Sequence, residues 1–217
     1  MSRLVFAVAL LSAPSAPALA GPLYVHFSGN FTQDDDRADF LFTIASPATV
    51  ELRSWSYAGG PDLQANPVPR GGFAPVLSLF DGAGNLLAYD NGGSVGGTAP
   101  RDCSTGARAQ DVVSDLCLDA YTQAALGSAG SYRVVVTEQD NLPNGPTLAD
   151  GFALSGAGDF TGGPFIDAGG NPRSAYFYFT IGPVDAAQAA SAPEPAPLWL
   201  LASGLGLVLQ RRMRASR

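Results

Sequence analysis

Apart from aspartate, this chain has few residues able to do chemistry. Its 217 residues include one histidine, His26, two cysteines, Cys103 and Cys117, and no lysine, against 16 aspartates and three glutamates. Without lysine there is no Schiff-base or lysine-base chemistry. A serine or cysteine nucleophile needs a base beside it, and no G-x-S-x-G turn or partner pattern accompanies His26. His26 therefore reads as a strand side chain, and no catalytic residue is assigned. A pair of carboxylates would serve a glycosidase, but 16 aspartates make pairs inevitable, so their presence decides nothing. No glycine-rich phosphate loop leads from a strand into a helix.

Calcium is the one cofactor the residue types suggest. Hard cations take carboxylate and carbonyl oxygens on loops. Asp34, Asp36 and Asp39 precede one predicted strand, while Asp90 and Asp140 follow two others, near the ends of a sandwich. An EF-hand is excluded: counting from Asp34, position 6 is Asp39 rather than glycine, and position 12 is Ala45 rather than glutamate. The competing reading is solvated turn aspartates, which abound in turns. Cys103 and Cys117 read as one disulfide closing a loop of about 15 residues, worth roughly 3 kcal/mol in the chain-entropy model. Two free thiols or a metal pair are the poorer alternatives, since the spacing is not C-x-x-C and only one histidine exists.

The elements that must carry these residues are strands. Period-two alternation marks Leu23–Phe27, Phe40–Ile44, Thr49–Tyr57, Tyr132–Thr137 and Tyr176–Ile181. Val76–Phe80 reads as a fully buried strand. Asp81–Asn85 is a turn and Leu86–Tyr89 the returning strand of a hairpin. Only Leu116–Leu126 has room for a helical turn. Three long stretches rich in Gly, Pro, Asn and Asp intervene: Ala58–Gly72, Asn91–Asp115 and Asn141–Pro172. Many short strands with Gly/Pro turns predict an all-β jelly roll or sandwich. Trp55 and Tyr57, followed by the Ala58–Gly72 loop, offer a sugar-stacking platform if exposed and core if buried.

The two ends differ in kind from the middle. Arg3, an apolar run from Leu4 to Leu11 and Ala18-Leu19-Ala20 form the three parts of a secretory signal, residues 1–20. Pro14 and Pro17 argue against a buried helix there. A β domain then spans 21–185 and an Ala-rich linker 186–192. The last part, 193–217, runs Pro193-Glu194-Pro195, an apolar segment Ala196–Leu209, and an arginine-rich end. As a helix the apolar segment is about 21 Å long, short of a hydrocarbon core of roughly 30 Å. The terminal arginines favour the cytoplasmic side, which puts everything upstream outside. Residues 21–195 carry seven arginines against 19 acids, a charge of −12. Such a domain has no attraction for nucleic acid or anionic lipid.

This order of motif, apolar helix and basic end resembles the PEP-CTERM sorting signal of Gram-negative bacteria. The resemblance implies that an exosortase cleaves near Pro193, Glu194 and Pro195 after a transient stop in the inner membrane. It further implies an exported envelope or extracellular protein accompanying exopolysaccharide. A plain C-terminal anchor is the alternative. A second resemblance rests on Asp36–Val50, Pro75–Ala88 and Gly130–Val136, whose succession is similar to the bacterial pre-peptidase C-terminal (PPC) β-sandwich. It implies a non-catalytic accessory module, some members of which bind calcium. The expectation is thus a non-enzymatic envelope or matrix protein tied to exopolysaccharide or biofilm. The rivals are a carbohydrate- or calcium-binding module and, less favoured, a surface-polymer hydrolase.

Overall fold

Alternating side chains force each strand to bury one face, and two antiparallel sheets meet to do so. The computed structural model describes residues 23–92, 103, 108–157, 165–166 and 170–190; the signal segment and the 193–217 tail lie outside them. The strands are β1 (Leu23–Asn30), β2 (Ala38–Ile44), β3 (Ala48–Ser54), β4 (Gly60–Pro61), β5 (Pro67–Val68), β6 (Pro75–Phe80), β7 (Leu86–Asp90), β8 (Tyr121–Leu126), β9 (Gly130–Glu138), β10 (Phe165–Ile166), β11 (Pro172–Arg173), β12 (Tyr176–Val184) and β13 (Ala186–Ala189). One sheet has the order β1-β12-β3-β8 and the other β13-β2-β9-β6-β7. Two small ribbons, β4-β5 and β10-β11, complete the architecture. The fold is all-β; the single 3₁₀ turn, Leu148–Asp150, is the only helical element among the described residues.

The shared core comes from the inward faces: Phe40, Phe42 and Ile44 of β2, Val50 and Leu52 of β3, Val134 and Val136 of β9, and Phe177, Phe179 and Ile181 of β12. Phe40 and Phe179 meet edge to face across the interlayer, 4.9 Å between ring centres. Each such side chain contributes roughly 1.5–3 kcal/mol by leaving water.

Strand β6 is buried on both faces, as its unbroken apolar run predicts. The cause is the segment 141–157, which folds over the outer side of the five-stranded sheet. Phe152, 2% exposed, packs with Phe80 and Val135 there, and Leu86 and Leu148 rim them. Asn141 anchors the segment: its backbone oxygen accepts from Thr137 Oγ1 (2.7 Å) and its side-chain oxygen from Leu154 N (2.9 Å).

Two expectations are corrected. Tyr121–Leu126 is a strand, not a helical turn, because β3 offers it a full ladder from Arg53↔Tyr121 to Ala48↔Leu126. Residues 186–189, expected as linker, form edge strand β13 against β2, from Ala186↔Thr43 to Ala189↔Phe40. Small alanines carry no readable pattern; the pairing rests on backbone bonds such as Asp185 N donating to Thr43 O at 2.9 Å, and the Asp185 side chain adds Oδ2 accepting from Ala45 N at 2.5 Å. Among the described residues no helix is long and apolar enough to cross a membrane, and the Ala196–Leu209 segment lies outside them.

Candidate functional site

Of the aspartates expected to gather around calcium, Asp36, Asp39 and Asp90 are each engaged separately, while Asp34 and Asp140 share the neighbour Glu138. Asp36 Oδ2 accepts from Thr32 N (2.5 Å), Thr32 Oγ1 (2.8 Å) and Gln33 N (3.0 Å); burial raises its pKa but these bonds prevail and hold it low. Asp39 takes Arg133 at 2.5 Å and Arg37 at 3.4 Å. Asp90 takes Arg108 at 2.7 Å and the backbone N–H of Tyr121 at 2.7 Å. Asp34 and Asp140 both lie within electrostatic reach of Glu138, at the far end of β9. Among the described residues no three His, Cys, Asp or Glu side chains are placed to hold one metal ion.

Trp55 and Tyr57 are core, 5% and 0% exposed, which rules out a stacking platform built on them. The chain leaves the sheet at Ser54, so the alternation stops there. Buried Asp119 forces the corner: it accepts from Ser54 Oγ (2.8 Å), Tyr57 N (3.1 Å) and Ala58 N (2.9 Å). Burial dominates and raises its pKa despite those bonds.

A second buried network ties two of the irregular stretches to strand β11. Asp111, fully buried, accepts from Arg70 Nε and Nη2 (2.8 and 2.6 Å), Arg173 Nη2 (3.0 Å) and Ser114 N and Oγ (3.0 and 2.8 Å). Arg173 lies over the Tyr57 ring, 3.8 Å to its centre, and Tyr57 Oη shares a 2.9 Å bond with Ser114 Oγ. Burial pushes Asp111 up, but the Ser114 and arginine bonds overcome it and hold it at about 2. Close by, the Cys103–Cys117 disulfide forms as expected, with Cα atoms 5.6 Å apart. These groups are saturated by one another, so their chemistry is structural.

Polar groups with capacity to spare lie instead on the outer face of the four-stranded sheet. Register places His26, Thr180, Arg53 and Tyr121 in one row across β1, β12, β3 and β8. The adjacent row holds Gly182, Glu51 and Gln123. A Cβ on Gly182 would collide with the Tyr24 ring, so that ring occupies the space the glycine leaves. Arg53 stacks on Trp55 at 3.8 Å, and its Nε is buried without a hydrogen-bond partner. Burial pulls the Arg53 guanidinium down in pKa, while Glu51 and Asp119 oppose it. Glu51 receives one long contact, 3.4 Å from Gln123 Nε2. His26 stacks on Tyr178, 5.4 Å between ring centres, and Tyr178 in turn donates to Asp62 at 2.6 Å. Arg53, Glu51, Gln123 and Tyr121 were missed in the sequence because only cross-strand register brings them together.

A groove of about 300 Å³ on the other sheet, between Leu41, Arg133, Asp81 and Leu148, is less suited to a ligand. Its charged groups are occupied: Arg133 by Asp39, and Asp81 by Asn85 and Ala83.

Compared with protein-family models and with curated proteins, the chain matches none.

Proposed function

We propose that this is a non-enzymatic exported protein of the bacterial cell envelope or extracellular matrix, delivered by an exosortase acting near Pro193-Glu194-Pro195 and working beside exopolysaccharide. The observation that carries the reading is the ordered tail of motif, apolar segment and arginine-rich end behind a secretory signal. The domain's construction supports it. A disulfide suits an oxidising compartment, and the buried ion pairs and carboxylates pin loops rather than converge on a reacting atom. The finer fold reading, a jelly roll of the PPC type, rests on the strand succession from β2 through β9 and belongs to the same proposal.

Intact-mass spectrometry of the envelope and extracellular fractions of the native host tests it. The mature chain is expected to begin near Gly21 and to end near the motif. A mature form still carrying Arg217 would leave a plain membrane anchor in place of a sorting signal.

A further inference from the structure

We propose that the outer face of the four-stranded sheet binds a neutral saccharide chain. This gives the polymer-associated reading a surface, but it does not depend on the fate of the tail.

Arg53 and Glu51 on this face have hydrogen-bonding capacity that the protein leaves unused. A guanidinium presents five donors. Arg53 is fixed by the Trp55 ring beneath it, and among the described residues no carboxylate forms an ion pair with it. Glu51, two residues earlier on the same face of β3, is an acceptor with only a 3.4 Å contact. A donor and an acceptor side by side on a rigid strand match neighbouring hydroxyls of a sugar ring, each of which both donates and accepts. Gln123, directly across from Glu51, adds an amide that does both.

The apolar half of the recognition is also present. Sugar rings carry faces of C–H groups that pack on aromatic rings, and an amphipathic aromatic is suited to a half-wet surface. Tyr121 stands opposite Arg53 at one side of the patch. Tyr24, 39% exposed, lies over Gly182 at the other. In the first row Thr180 is covered by the Trp55 indole, whose N–H donates to it at 3.2 Å, so Arg53 and Tyr121 are the members of that row that join the patch. The second row runs from Tyr24 over Gly182 through Glu51 to Gln123; with strands about 4.8 Å apart, its three positions span roughly 10 Å, the length of about two sugar rings. The face is rigid because both rows are sheet positions, so little ordering entropy opposes binding.

Charge selects the kind of sugar. Glu51 and Asp119 already offset Arg53, and the chain as a whole carries −7. An acidic polysaccharide is repelled by that field, so the fitting occupant is uncharged.

The test is isothermal titration of the full chain with cellohexaose, maltohexaose, laminarihexaose and mannohexaose, with oligogalacturonate as the acidic comparator. At least one neutral hexasaccharide is expected to bind. Tyr121→Ala and Glu51→Gln should each weaken it tenfold or more. Arg53→Met, which keeps the stem over Trp55, should abolish it, with circular dichroism and melting curves showing that the variants fold. Tyr89→Ala, on the exposed side of β7, should bind as the parent does. Binding that survives both Tyr121→Ala and Arg53→Met overturns the proposal, as does preference for oligogalacturonate or no binding of any of the four neutral probes. None of these outcomes bears on where the tail is cut, so the two readings fail separately.

Discussion

Glu138 sits at the end of β9, 9% exposed, with Asp140 and Asp34 near it and Arg173 across a small cavity. Its Oε1 accepts from Asp140 N at 2.7 Å. Burial first, then the charges of Asp140 and Asp34, push its pKa from 4.5 up to about 7. The folded state therefore holds this proton more tightly than the unfolded chain. The stability it confers is complete below pH 4.5 and is lost as pH rises through 7. At about 1.4 kcal/mol per tenfold change in proton affinity, the loss is about 3 kcal/mol. Glu138→Gln removes the ionisation but keeps an oxygen for the Asp140 N–H. The variant should match the parent at pH 4 and exceed it by about 3 kcal/mol at pH 8, or about 6–12 °C in Tm for a chain this size. Urea melts of both proteins at pH 4, 6 and 8 supply the comparison, because other titrating groups cancel in the difference. A difference that does not change with pH would show that Glu138 holds its proton no more tightly in the folded protein than in the unfolded chain and refute the reasoning. Lower stability of the variant at pH 8 would refute it equally.

Two further outcomes follow from the buried network and the cover. Asp111→Asn takes the carboxylate charge away from both Arg70 and Arg173, the latter 5% exposed, and should cost about 3–5 kcal/mol in a urea melt. The parent's Asp111 contribution is present above pH 3.8 and fades as pH falls towards about 2, so the gap between the two proteins should narrow on acidification below pH 4. Phe152→Ala empties the contact with Phe80 and Val135 and should cost about 3–5 kcal/mol. Hydrogen exchange should then quicken in 141–155 and along β6 but not in β1 or β12; uniform quickening would mean that the segment is not a separate cover.

Most strands were legible in the sequence because burying one face imposes a period of two, and β6 was legible as buried because its run is unbroken. What lay on its second side was not legible, since the covering segment shows only scattered Leu148 and Phe152 among turn residues. Trp55 and Tyr57 continue the alternation of β3 in sequence, yet the chain has already turned after Ser54, around the Asp119 carboxylate. That turn depends on a buried carboxylate supplied from 65 residues away. The partners of the aspartates were hidden for a related reason. Asp39 and Asp90 look solvated beside their neighbours in sequence, while their partners Arg133 and Arg108 come from elsewhere. The Arg53 patch spans four strands, and no local window contains it.

Strand β13 lies at the edge of its sheet and is the last strand before the C-terminal extension. Its final bond, Ala190 N to Asp39 O at 2.8 Å, is the one nearest that extension. Any pull transmitted through the extension therefore reaches this bond first, and the short ladder parts one rung at a time instead of all together. Because only Ala187 of β13 packs against the core, those four residues can unzip and leave the other strands assembled. A load on that end would thus release the four residues of β13 before it reached β12, the strand that pairs with both β1 and β3.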